Sequence, residues 1–153
     1  MRNAAVVDSG PLLALFDRDD AHHARVLRTL KRHPELRFIT TWPVLTETSA
    51  LLASRVGKDT EIEFLDWVAA GGVTVEALDH ADLDVMIGLM RKYRDLPFDF
   101  ADTSVAALAE VHGIDRVLSV DRDFDVYRTA SGKPLRNLAP LPPIRRLTRR
   151  NVR

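Results

Sequence analysis

The chain of 153 residues contains no cysteine, which excludes a disulfide framework and any thiolate metal site and fits a reducing, cytoplasmic setting. No run of about 18 apolar residues occurs, and no long apolar stretch follows Arg2, so neither a membrane span nor a secretory signal is expected. An excess of one charge is also missing: 22 basic residues face 22 acidic ones. Net charge therefore argues for no particular partner. No internal repeat is visible, and low complexity is confined to the C-terminus.

There the balance breaks. Arg145, Arg146, Arg149, Arg150 and Arg153 stand within nine residues that hold no acid, so an acidic body, residues 1–144, is followed by a basic tail, residues 145–153. A body of this length suits one domain that hides roughly two-thirds of its unfolded surface.

The body alternates short apolar runs with helical patterns. Ala4 to Val7 reads as a buried strand ending on Asp8, with a break at Gly10-Pro11 and a short helix to Phe16. Helices are expected over about Ala21–Arg32, Trp42–Arg55, Asp59–Ala70, Ala81–Tyr93 and Phe100–His112. Further strands are expected at Leu36–Thr40, Val73–Ala77 and Arg116–Val120, with a fifth at Leu135–Leu138. Strands separated by helices require crossovers. The expected fold is α/β, a single domain with a central parallel sheet of four to five strands and helices on both faces.

Four acids stand at element ends or beside apolar stripes. Asp8 closes the first strand and is equally placed to cap the helix that follows. Glu47 lies on the margin of the stripe formed by Val44, Thr48, Leu51 and Leu52, a position where an acid can also reach water along its own stem. Asp102 sits three residues after Asp99, a spacing that serves capping by itself, yet Phe98 and Phe100 draw it inward. Asp121 ends the fourth strand. In a parallel sheet, strand ends on one edge share a crevice, so Asp8 and Asp121 belong to one rim if their strands are neighbours. Carboxylates converging there would repel one another without cations, and a hard-oxygen set suits Mg²⁺ or Mn²⁺.

Other clusters carry simpler explanations. Asp17, Asp19, Asp20, His22 and His23 read as a loop entering a helix, capped by Asp19 or Asp20, with solvated histidines. Phe64, Leu65, Trp67, Met86 and Met90 fit core or partner surface. Leu12, Leu13, Leu15 and Phe16 give the first helix more apolar surface than one buried face requires, which suggests a dimer or partner groove.

Four stretches then carry a family resemblance: Val6-Val7-Asp8-Ser9; Trp42-Pro43-Val44-Leu45-Thr46-Glu47; the run from Asp99 to Ala109; and Leu118-Ser119-Val120-Asp121-Arg122-Asp123-Phe124. In this order and spacing the chain resembles the PIN-domain ribonucleases of the VapC type, toxin halves of VapBC toxin-antitoxin pairs. The resemblance implies a metal-dependent endoribonuclease that uses Mg²⁺ or Mn²⁺, with an antitoxin partner and homodimeric assembly. It implies an acidic set of Asp8, Glu47, Asp102 and Asp121 as catalytic and metal-holding residues. Ser9 and Ser119 support that set, Ser119 standing where the family often has threonine, and Asp99 and Asp123 are further candidates. RNA substrate would also give Arg145, Arg146, Arg149 and Arg150 a role as phosphate contacts. Two rival readings are a PIN fold that binds a partner without catalysis, and a phosphatase with a strand-end aspartate. The latter typically wants a second aspartate two positions on, where this chain has Gly10.

Overall fold

A computed structural model describes residues 1–142; the tail arginines Arg145, Arg146, Arg149 and Arg150 and the expected domain boundary at 144 lie outside the described residues. Within it five strands, β1 (Ala4–Val7), β2 (Arg37–Thr40), β3 (Thr74–Val75), β4 (Arg116–Leu118) and β5 (Arg136–Asn137), form one sheet in the order β3-β2-β1-β4-β5. Every pairing is parallel. Seven helices accompany them: α1 (Ser9–Phe16), α2 (His23–Arg32), α3 (Trp42–Arg55), α4 (Lys58–Ala69), α5 (Leu83–Lys92), α6 (Phe100–His112) and α7 (Asp123–Val126).

The centre of the sheet is the strand whose sequence is most uniformly apolar. All four residues of β1 are buried, as a strand covered on both faces demands. Right-handed crossovers assign α1 to α4, which connect β1, β2 and β3, to one face, and the return from β3 to β4 through α5 and α6 to the other. Each side has its aromatic cluster. Phe16, Phe64 and Trp67 pack edge-to-face and stacked at centroid distances of 5.4–6.4 Å, while Tyr93, Phe98, Phe124 and Tyr127 interlock at 5.5–6.4 Å. Phe64 and Phe124 are fully buried, each worth about 1.5–3 kcal/mol in transfer free energy.

Helix starts are set by local chemistry. Thr41 caps α3 through Val44 N, and Asp99 caps α6 in a reciprocal box with Asp102. The α6 helix ends at Gly113, whose φ of 62° is the left-handed conformation that glycine adopts without a Cβ penalty.

Several boundaries differ from the sequence-based expectation. The α2 helix starts at His23 instead of Ala21, because the Asp20 side chain accepts from His22 N at 2.8 Å and closes a turn; neither Asp19 nor Asp20 caps it. His23 is not solvated as expected, since its Nδ1 lies 2.7 Å from the Ala14 carbonyl. A 3₁₀ turn at His80–Asp82, closed by Asp79 and Asp82, precedes α5. The β4 strand stops at Leu118, where the next N–H is taken by the Asn137 side chain. That leaves Asp121 three residues beyond the strand, just before α7, a helix too short to show in the apolar pattern. Leu12 and Leu13 of α1 are core residues and Phe16 packs on Phe64 and Trp67, while Leu15 is half-buried and lines an apolar cleft with Pro11 and Leu30.

Candidate functional site

The carboxyl edge of the sheet gathers three of the four main acids. One carboxylate oxygen from each of Asp8, Asp102 and Asp121 lies within 4.8 Å of the others. Their origins are far apart in sequence: the end of β1, the first turn of α6, and the loop between β4 and α7.

Each acid is aimed by a local hydrogen bond. Asp8, 1% exposed, caps α1 by accepting from Ser9 N at 2.8 Å, and its other oxygen accepts from Ser119 Oγ at 3.3 Å. Asp102, 9% exposed, accepts from Asp99 N at 3.2 Å while its own N–H donates to Asp99 Oδ1 at 2.8 Å. Asp121 is half-buried; its Oδ1 accepts from Asp123 N at 2.9 Å, and its N–H donates to Ser119 Oγ at 3.3 Å. Capping and convergence are thus compatible. The bonds that would suffice for a helix cap also fix the direction of the remaining lone pairs.

The surrounding polar contacts hold the elements in place. Thr41 at the start of α3 shares a 2.6 Å hydrogen bond with Ser104 of α6, locking the helix that carries Asp102. Thr40 Oγ1 donates to the Val7 carbonyl beside Asp8 at 2.8 Å. Asn137 of β5 is the residue that sequence reasoning missed. Its Oδ1 accepts from Ser119 N at 3.2 Å and Ala139 N at 3.1 Å, and its Nδ2 donates to the Ser119 carbonyl at 3.0 Å. The available signal was an amide inside the short run Leu135-Arg136-Asn137-Leu138, where a side chain must find partners.

Glu47 is not one of the converging three. It is half-buried and lines a neighbouring groove of about 580 Å³ together with Asp99, between the exposed rings of Trp42 and Phe100. Asp99 is exposed, Asp123 is half-buried beside Asp121, and Ser9 contributes its backbone N–H to Asp8.

The electrostatics among the described residues are those of an acid cluster without a protein cation. Among the described residues no basic side chain forms an ion pair with Asp8, Asp102 or Asp121. Burial, followed by repulsion from Asp102 and Asp121, drives the Asp8 carboxyl well above the ordinary aspartate range. Burial and the neighbouring Asp99 push Asp102 up to about 8. Asp123 is raised by burial and by Asp121. Hard oxygens, mostly buried and unpaired with any basic side chain among the described residues, are a donor set that fits a divalent metal ion, and Asp8, Asp102 and Asp121 are the residues able to hold it.

Comparison with known proteins identifies the family and the fold. The family model described as the PIN domain matches residues 5–129, a span that includes all three acids. The chain is 27% identical over 128 residues to Ribonuclease VapC26 of Mycobacterium tuberculosis, covering 83% of this chain and 94% of the relative. The crystal structure of Mycobacterium tuberculosis VapC20, described as a Sarcin-Ricin loop cleaving toxin, matches with a TM-score of 0.73 at 23% identity, over 79% of this chain and 92% of that one. A chain from the structure of VapBC2 from Rickettsia felis, bound to a DNA fragment from their promoter, matches with a TM-score of 0.55 at 14% identity, over 80% and 91% respectively. At these identities the two structures speak for the fold alone.

Proposed function

The chain belongs to the PIN-domain family, and from that premise we propose that it is a metal-dependent endoribonuclease, the toxin component of a toxin-antitoxin pair acting in the cytoplasm. The observation that carries this reading is the convergence of Asp8, Asp102 and Asp121 within 4.8 Å, the first two buried and the third half-buried, without a basic partner among the described residues. The similarity to Ribonuclease VapC26 supports RNA as substrate, and the likeness to a VapBC chain fits an antitoxin partner.

Bound by these acids, Mg²⁺ or Mn²⁺ would supply Lewis-acid polarisation of the scissile phosphate and activation of water. The chain's own contribution is preorganisation. Ser9 N and Ser119 Oγ hold Asp8, the Asp99 backbone holds Asp102, and Asp123 N holds Asp121, so the three carboxylates are oriented before substrate arrives. Glu47 and Asp99, in the adjoining groove, are placed to act on the flanking part of the site, and Asp123 adds further negative charge at its edge. The tail residues Arg145, Arg146, Arg149 and Arg150 are assigned to RNA phosphates; deleting residues 145–153 should weaken binding and flatten its salt dependence.

A homodimer is part of this reading. Leu83, Ile87 and Met90 recur at helical spacing on α5 and are 37–42% exposed, giving that helix an outer apolar stripe as well as the buried face of Met86 and Leu89. The phosphatase alternative loses its second aspartate for steric reasons too, since even a Cβ at Gly10 would meet Val120 Cγ2 at 2.6 Å. The deciding experiment is RNA cleavage with Mg²⁺ or Mn²⁺ by the wild-type chain, Asp8→Asn and Asp121→Asn. Full cleavage by either variant would overturn the assignment.

A further inference from the structure

In a parallel sheet all strands begin at one edge, and four of the five strands here begin with, or just after, an arginine. Arg37, Arg116 and Arg136 are the first residues of β2, β4 and β5, and Arg2 stands two residues before β1. The acids converge at the opposite, carboxyl edge. Arg37 is paired with Glu76 at 3.2 Å, but the other three arginines line one groove of about 590 Å³ together with Lys133.

Arg116 and Arg136 are register partners in the β4–β5 ladder. Partners in register project to the same side of a sheet, and like charges placed so cost stability. Among the described residues little offsets that cost: Glu35 feels the Arg116 charge only as the smallest of several influences on its carboxyl. Of the two acids in the groove, Asp115 reaches Arg116 Nε only at 4.0 Å with its side chain 81% exposed, and Glu110 is engaged by the Tyr127 hydroxyl and by Ala130 N. Among the described residues the side chains of Lys133 and Arg136 make no hydrogen bond or ion pair, while Arg116 donates to the Arg2 carbonyl at 3.0 Å, which fixes its position.

We propose that this amino-edge groove is a phosphate-binding exosite, in which Arg2, Arg116, Lys133 and Arg136 take backbone phosphates of the RNA that the acid site cleaves. The polyanion's identity rests on the ribonuclease reading; the anion chemistry rests on the arginine row. The four residues of β1 alone separate the two edges by about 13 Å. A dinucleotide reaches only one edge, whereas a long folded RNA contacts both.

The test compares the wild-type chain with Lys133→Gln/Arg136→Gln on a dinucleotide and on a long hairpin RNA. Cleavage of the dinucleotide should be unchanged, while KM for the hairpin rises about tenfold and kcat stays constant. Binding of the hairpin in chelator should lose about 1.8 from its log–log salt slope for two contacts on its duplex stem at roughly 0.9 each. Lys133→Arg/Arg136→Lys should restore both values. Equal KM and equal salt slope for the Gln pair would overturn the exosite with the acid-site reading intact. Absence of cleavage by the wild type would instead sink that reading, and loss of chelator-phase binding in the Gln pair would still support the exosite. Stabilisation by inorganic phosphate without any change in RNA binding would mark the groove as a free-anion site and overturn the RNA assignment.

Discussion

Ser119 and Asp8 are 111 residues apart in sequence, yet the Ser119 hydroxyl donates to Asp8 Oδ2 at 3.3 Å and accepts from Asp121 N at the same distance. One fully buried hydroxyl therefore couples two of the three converging acids. Ser119→Ala should keep the fold while lowering Mn²⁺ affinity about 10- to 100-fold, the usual cost of losing a partner that orients a ligand. Calorimetric Mn²⁺ titration reads this directly, and unchanged affinity would remove Ser119 from the site.

The raised carboxyls give stability a definite pH dependence. Asp102 holds its proton up to about 8 in the folded chain against an ordinary 3.8, and Asp8 is raised in the same direction. The folded state then binds more protons than the unfolded state, so stability is greatest at low pH and falls as pH rises between about 4 and 8. Metal-free melting temperature should drop across that window, less steeply in Asp102→Asn. Mn²⁺ should raise it far more at the alkaline end, because there it no longer competes with protons. A metal-free protein whose stability climbs with pH over the same range would contradict this account.

Asn137 supports the site from the sheet edge. Its amide satisfies the N–H and carbonyl of Ser119 and the N–H of Ala139, so Asn137→Ala strands three backbone groups. The expected loss is about 1–3 kcal/mol in urea unfolding, together with weakened Mn²⁺ binding as Ser119 drifts from Asp8. Loss of stability with metal affinity preserved would make Asn137 a purely structural residue.

Sheet and crossovers were readable because they rest on strong local signals, whereas the acids, equally placed to cap helices or reach water, came together as a set only through the family resemblance. The apolar run of β1 and the cap spacing of Asp99 and Asp102 appear in sequence as they do in space. What escaped depends on distant partners. Asn137 acquires meaning only when β5 pairs with β4, and β4 ends early only because that same amide takes the next N–H. Glu47 shows the converse limit: a stripe on one helix fixes which side an acid faces, but not how far along the rim it lands.

That distance makes Glu47 the sharpest remaining test of the four-acid set. It shares a groove with Asp99 instead of joining Asp8, Asp102 and Asp121, so Glu47→Gln should leave Mn²⁺ affinity in the absence of RNA unchanged. Asp121→Asn should abolish that binding. If Glu47 acts where RNA crosses the groove, its variant should lose about tenfold or more in cleavage with metal binding intact. Asp99→Asn tests the other acid of the groove, because asparagine preserves the cap of α6 while removing the charge that bears on Asp102. A fall in RNA-free Mn²⁺ affinity for Glu47→Gln as large as that for Asp121→Asn would place it in direct coordination, and the groove would then have to close toward the three acids when metal binds.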